Sequence, residues 1–214
     1  MPATTEEITL YAFKGRSRAE RVLWVLQELR LPHRVMRLDA RRGENRSASY
    51  LSLSPDGKVP ALLHGNRVLT ESLAICLYLC SLVATPRLVP EEPEAAFAFF
   101  ERLFFAVTEM EPYLWLSDQE IFLKRDGLPK GIAAYSAGRI ENCIPRIHAW
   151  LESAPYVAGE TFTLADILFY HLLSWAGLYD IPLTDTIRAY LKNLEQRPAF
   201  PATMGVPGSP ATTG

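Results

Sequence analysis

Ser17 stands between an apolar, strand-like run, Ile8-Thr9-Leu10-Tyr11-Ala12-Phe13, and a helical pattern whose apolar positions Val22, Val25, Leu26 and Leu29 recur at helical spacing. A helix start carries unpaired N–H groups and a partial positive charge, so it can hold an anion, and a hydroxyl there can donate one more hydrogen bond. A thiolate is a guest of the right charge. Ser17 has a competing use, because Ser17-Arg18-Ala19-Glu20 also has the spacing of a capping box. The two uses differ in whether the hydroxyl turns to its own backbone or to a ligand.

Other chemistry-bearing types are sparse. Glu71 and Ser72 open a helical pattern over 71–82, where an acid and a small hydroxyl also suit the macrodipole and the cap. Cys76, Cys80 and Cys143 are odd in number, which fits a reducing compartment rather than a disulfide framework. Cys76 and Cys80 lie one helical turn apart, but no His or further Cys stands near them. Buried core residues are therefore expected there, and no metal.

The elements that must place these groups change character along the chain. The first part alternates: strand 8–13, helix 18–30, strand 34–39, a short helical stretch at 44–51, strand 59–63, a Gly65-Asn66 turn, strand 67–70 and helix 71–82. The strand-helix-strand opening implies a parallel pair and the Gly-Asn turn a hairpin, hence a mixed sheet covered by helices. Three prolines between Ala84 and Pro93 mark a linker. From Glu94 onward the patterns are helical only, over 94–124, 132–152, 164–178 and 184–195. Thr163-Leu164-Ala165-Asp166 predicts a capping box, with Phe162 and Ile167 as its hydrophobic staple. The expected division is thus 1–83, linker 84–93, helical domain 94–200, and a Pro/Gly-rich tail 201–214 that is expected to be disordered.

With 214 residues, 49% hydrophobic and 21% charged, the composition is that of a folded globular chain, which excludes a disorder-dominated protein. Its apolar runs are shorter than a bilayer requires, and Met1 to Glu7 lacks the basic-then-apolar pattern of a leader, so a cytoplasmic location is expected. The net charge is −2, yet the segment up to Arg46 holds ten Lys and Arg against six acids. That half would draw a small anionic ligand, while the overall acidity argues against nucleic acid.

Four stretches carry a family resemblance. They are Ser17-Arg18-Ala19-Glu20-Arg21-Val22-Leu23-Trp24, Gly57-Lys58-Val59-Pro60-Ala61-Leu62, Leu69-Thr70-Glu71-Ser72-Leu73-Ala74-Ile75, and Tyr156-Val157-Ala158-Gly159-Glu160-Thr161-Phe162-Thr163-Leu164-Ala165-Asp166-Ile167. In this order and at these separations the chain resembles the glutathione S-transferases, and in particular serine-type cytosolic members of the bacterial and fungal kind. The resemblance implies an N-terminal thioredoxin-like mixed-sheet domain followed by an all-helical one, an α/β plus all-α architecture. It further implies a homodimeric transferase that takes glutathione as co-substrate and no metal.

Site residues follow from the same resemblance. Ser17 would activate the glutathione thiol. Pro60 would follow a cis peptide, and Val59 would pair through its backbone with the cysteinyl part of the tripeptide. Glu71 would face the γ-glutamyl ammonium, and Ser72 its carboxylate. Lys58 would reach the other carboxylate or remain a solvated loop lysine, and Arg18 would neutralise charge near the sulfur or lie exposed. Tyr11 is a weaker alternative to Ser17, because neighbouring strand residues face opposite ways. A hydrophobic second substrate would lie between the domains near Phe13, Tyr113 and Trp115. Conjugation to an electrophile, or reduction of a peroxide, is the implied chemistry, with detoxification as its setting. The alternative is a non-catalytic interaction or regulatory module of the same fold.

Overall fold

The computed structural model describes residues 6–85 and 87–204. The described residues divide into two compact units, 6–85 with Arg87 and 199–204, and 88–198.

The first unit is built on a four-stranded sheet in the spatial order β2 (His33–Leu38), β1 (Ile8–Phe13), β3 (Ala61–His64), β4 (Arg67–Thr70). Strand β1 (Ile8–Phe13) is central, and its alternate residues Ile8, Leu10 and Ala12 are fully buried. It runs parallel to β2 (His33–Leu38), with Ile8 opposite His33 and Phe13 opposite Leu38. The crossover between them is helix α1 (Ala19–Glu28), whose residues Val22, Val25 and Leu26 are fully buried. Strands β3 (Ala61–His64) and β4 (Arg67–Thr70) are antiparallel to their neighbours and form the expected hairpin. Gly65 takes φ +56° in its turn, and a Cβ there would meet the Glu6 carboxylate at 2.7 Å. Helix α3 (Ser72–Ser81) packs beside α1 through buried Ile75, Cys76 and Leu79. The 39–52 connection consists of two 3-10 turns and the short helix α2 (Ala48–Leu51) in place of one helical stretch.

The second unit is helical. It contains α4 (Pro93–Phe105), α5 (Glu111–Ile121), α6 (Ile132–Glu141), α7 (Ile144–Ser153), α8 (Leu164–Ala176) and α9 (Asp185–Leu194). Two patterns that read as single helices are interrupted. A π-helical turn at Ala106–Met110 separates α4 from α5, and α6 ends two residues before α7 begins. Each break precedes a proline in the first turn of the next helix, Pro112 and Pro145. Proline cannot donate to the carbonyl four residues back and its ring crowds that carbonyl, so the ladder must yield just upstream. Helix α8 is buried almost throughout and is the core of this unit.

The predicted capping box at its start is present in full. Thr163 accepts from the Ala165 N–H, and Asp166 accepts from the Thr163 N–H at 2.8 Å. Asp166 is 0% exposed and also accepts from Val157 N–H and the Tyr190 hydroxyl.

Residues 199–204 group with the first unit, whereas the sequence pattern places 199–200 in the helical domain. The cause is a set of specific contacts. The Phe200 ring stands edge-on to Trp24 with centroids 4.9 Å apart, and the Thr203 hydroxyl donates to the Glu20 carboxylate. Pro201 and Met204 are buried, with exposed Ala202 and Thr203 between them, at the start of the tail expected to be disordered. Its remainder, 205–214, lies outside the described residues.

Candidate active site

Strand register brings three loops to one end of the sheet. Ala61, the first residue of β3, sits opposite Tyr11 near the end of β1 and opposite Thr70 at the end of β4. The segment after β1 carrying Ser17, the segment before β3 carrying Lys58, Val59 and Pro60, and the segment after β4 carrying Glu71 and Ser72 therefore all leave the sheet at the same edge. Residues separated by 55 positions in sequence meet there because the antiparallel hairpin returns to the C-terminal end of β1.

Ser17 is 8% exposed, and its Oγ accepts from the Ala19 N–H at a long 3.4 Å. The rest of the box expected from Ser17-Arg18-Ala19-Glu20 is not formed, because the Glu20 carboxylate accepts from Arg37 at 2.7 Å and from Thr203 instead. Arg18 takes the N-cap position of α1 and provides no side-chain cap. The Ser17 hydroxyl thus sits at the positive end of α1, its oxygen accepting one long bond and its hydrogen not used by the cap. Tyr11 projects to the sheet face opposite that of buried Leu10 and Ala12 and lies against Tyr50, ring centroids 5.5 Å apart.

The loop before β3 is held by residues that the sequence did not single out. The Val59–Pro60 peptide is cis, as the resemblance implied. The Lys58 carbonyl accepts from the Tyr50 hydroxyl at 2.6 Å and from Ser54 Oγ at 3.0 Å, and the Gly57 carbonyl accepts from Asn45 Nδ2 at 2.9 Å. Asn45 and Ser54 are buried polar groups, and these backbone acceptors satisfy their side-chain donors. Gly57 itself has φ +64° with the Asn45 carbonyl 2.8 Å from where a Cβ would lie, so the close approach demands glycine. The Lys58 side chain is 77% exposed and lies 3.7 Å from Asp56.

Glu71 is exposed at the N-cap of α3 and has a positive φ of 66°, a conformation that costs a non-glycine residue free energy and concentrates at ligand sites. Ser72 follows, 6% exposed, and its Oγ accepts from Arg21 Nη1 at 3.4 Å. Arg21 is 2% exposed, so a guanidinium buried in α1 faces the start of α3. Nothing in the hydropathy pattern distinguishes it from the surrounding surface arginines, and it too was missed.

The three residues expected at a second-substrate pocket belong to two elements, β1 and α5. Phe13 is buried at the end of β1 in the first unit. Tyr113 and Trp115 are half-buried on α5, but two residues on a helix are roughly 200° apart, so they occupy different sides. Tyr113 meets Tyr135 of α6, centroids 6.1 Å apart, and lies under the Arg139 guanidinium at 4.9 Å. Trp115 lies 5.9 Å from the Arg125 guanidinium.

Burial favours the protonated thiol at all three cysteines. Burial pushes the Cys80 thiol up to about 12 and that of Cys143 up to about 11, and raises Cys76 further. Among the described residues there is no group of three or more His, Cys, Asp and Glu side chains able to hold a metal, and no helix is long and apolar enough to cross a membrane.

Comparison with known proteins gives this geometry a family. Residues 6–81 match the glutathione S-transferase N-terminal domain and residues 121–198 the C-terminal domain. The chain belongs to the glutathione S-transferase family. Glutathione S-transferase A of Pleuronectes platessa is 28% identical over 213 residues, covering 92% of this chain and 91% of that protein. The β-etherase LigF of Sphingobium sp. strain SYK-6 has the same fold, with TM-score 0.82 over 90% of this chain and 96% of that one at 20% identity. A glutathione transferase homologue from Sulfitobacter, solved with glutathione bound, superposes with TM-score 0.76 over 91% of this chain and 95% of that one at 24% identity. The mixed-sheet N-terminal unit and helical C-terminal unit are those of the glutathione S-transferase fold, and membership supports glutathione transferase activity in general terms.

Proposed function

We propose that this chain is a glutathione transferase in which Ser17 holds the glutathione sulfur as a thiolate. The observation that carries the proposal is the register that delivers Ser17, Val59-Pro60 and Glu71-Ser72 to one edge of the sheet. The tripeptide lies along that edge, its cysteinyl backbone pairing with Val59 as an added strand. Glu71 faces the γ-glutamyl ammonium, and its positive φ is the strain that a ligand clamp tolerates. The γ-glutamyl carboxylate takes Ser72, α3 N–H groups and the field of buried Arg21. Lys58 and Arg18 supply positive charge at the glycyl carboxylate and near the sulfur.

A free cysteinyl thiol has a pKa of about 8.5 and reacts as its anion. A hydrogen bond from Ser17 to the sulfur contributes about 1.5–3 kcal/mol, one to two pKa units, and the helix start adds to it. The thiolate then attacks a hydrophobic electrophile, forming the C–S bond as the leaving group departs with its electron pair. Attack on a peroxide oxygen, with the O–O bond breaking and an alkoxide leaving, is the close variant. Tyr113, with Tyr135 and Arg139 beside it, offers an aromatic surface for the second substrate, and Phe13 and Trp115 are separate candidates for its contacts. The enzyme works as a cytoplasmic homodimer in detoxification.

Isothermal titration with glutathione and a conjugation assay using a broad aromatic electrophile test the reading on the full chain. Wild type is expected to bind and turn over. Glu71→Gln and Ser72→Ala are each expected to raise KM for glutathione about tenfold, the loss of one charge-assisted hydrogen bond, with a smaller change in kcat. Glutathione binding without turnover, indifferent to Ser17→Ala, would point to the non-catalytic module instead.

A further inference from the structure

The first turn of α1 carries a liability for a site that holds an anion. Glu20 is 1% exposed and only three residues beyond Ser17, roughly 5 Å along the helix axis. Its negative charge offsets the positive end of the helix, and burial denies it the screening of water. Two contacts answer that charge. Arg37 Nη1 of β2 donates to Glu20 Oε1 at 2.7 Å and also to the Phe13 carbonyl at 3.0 Å. The Thr203 hydroxyl donates to Glu20 Oε2 from the chain's C-terminal segment. Arg37 thereby ties the last residue of β1 to the first turn of α1, bracketing the stretch that bears Ser17.

We propose that the Glu20–Arg37 pair, closed by Thr203, sets the anion-holding strength of the Ser17 helix start, with Arg37 as the positioning residue. This rests on the assignment of the sulfur to Ser17. Other charges face the same end. Lys14 is paired with Asp39 at 3.2 Å, Arg16 and Arg18 lie on the connecting segment, and Arg21 on α1 faces Ser72. None of them contacts Glu20 as Arg37 does, and the segment 199–204 brings no charge of its own. Phe200 against Trp24 fixes that segment on α1, so the hydroxyl of Thr203 arrives on a docked element.

The test is the pKa of enzyme-bound glutathione, read from the ultraviolet absorbance of the thiolate across pH. Arg37→Gln exposes the charge of Glu20 and is expected to raise that pKa by about one unit. The double variant Glu20→Gln/Arg37→Gln removes both charges and is expected to restore it. Thr203→Val is expected to raise it by less, about half a unit, and keeps the test open should Arg37→Gln fail to fold. Ser17→Ala is run in parallel. An unmoved pKa in Arg37→Gln and Thr203→Val, beside a raised one in Ser17→Ala, overturns the proposal and leaves the Ser17 assignment standing. A raised pKa in Arg37→Gln that persists in the double variant also overturns it, because Arg37 would then act by holding the segment alone. If Arg37→Gln moves the pKa and Ser17→Ala does not, the charge pair governs the helix start and the Ser17 assignment fails.

Discussion

A hydroxyl at a helix start can serve the helix or a ligand, and the energetics of the two separate cleanly at Ser17. As a cap it would contribute about 1 kcal/mol to stability. Its contact with Ala19 N–H is 3.4 Å and Glu20 does not return the bond, so little of that is realised. Ser17→Ala is therefore expected to lower stability by at most about 0.5 kcal/mol in urea unfolding, while raising the pKa of bound glutathione by about one to two units. A stability loss with an unmoved thiol pKa would return Ser17 to the role of cap. The chain's own thiols are shifted in the direction opposite to that proposed for bound glutathione. Cys143, which donates to the Glu109 and Arg139 carbonyls, has its pKa raised by burial to about 11 from an ordinary 9.0. The native state then keeps a proton that the unfolded chain releases, so this group's contribution is intact below pH 9.0 and is lost as pH rises toward 11. Urea midpoints are expected to fall over that window, and to fall less in Cys143→Ala. Alkylation of native protein at neutral pH should be slow until denaturant is added.

At the scale of elements, the start of α8 is where a short sequence signal becomes a structural anchor. Asp166 accepts from Val157 N–H, Thr163 N–H, Thr163 Oγ1 and Tyr190 OH while fully buried. Asp166→Ala orphans several of these donors at once and is expected to destabilise the protein by about 3 kcal/mol, against about 1 kcal/mol for Tyr190→Phe, by chemical denaturation. The box was legible because its residues are local and their spacing is fixed by the helix. The same holds for β1, α1 and the Gly65-Asn66 hairpin, where periodicity and turn chemistry agree. What escaped was of two kinds. Pro112 and Pro145 stand within amphipathic patterns that continue across them, so the π turn and the 142–143 break were hidden by uninterrupted periodicity. Asn45, Tyr50 and Ser54 act through backbone acceptors a few residues away, and Arg21 and Arg37 through partners on other elements. A hydrogen bond between distant positions leaves no period in the sequence. The candidate site residues were reached by resemblance, and the sheet register supplies the physical reason their loops leave one end of the sheet.

For the whole molecule, the outstanding feature is a row of aromatic side chains with nothing over it among the described residues. Phe97, Phe100 and Phe104 follow i, i+3, i+7 spacing on α4 and are 73%, 38% and 64% exposed. They share one face, while Arg102 turns to the other side to cover the Trp150 ring at 4.1 Å. Three phenylalanines in a stripe on one helix face are contiguous apolar exposure rather than scattered single residues, the pattern of an association surface. A second copy of this chain is the expected cover, in keeping with the proposed homodimer. The stripe is internal to one helix and bears no charge, so a two-fold axis crossing α4 would set it against its own equivalent. Phe97→Glu/Phe104→Glu would place like charges across such an axis. Sedimentation velocity is expected to give a dimer for wild type and a monomer for the double variant, with far-ultraviolet circular dichroism unchanged because both side chains point away from their own core. A dimer that survives the two glutamates would move the interface off α4, and the stripe would then need a different cover.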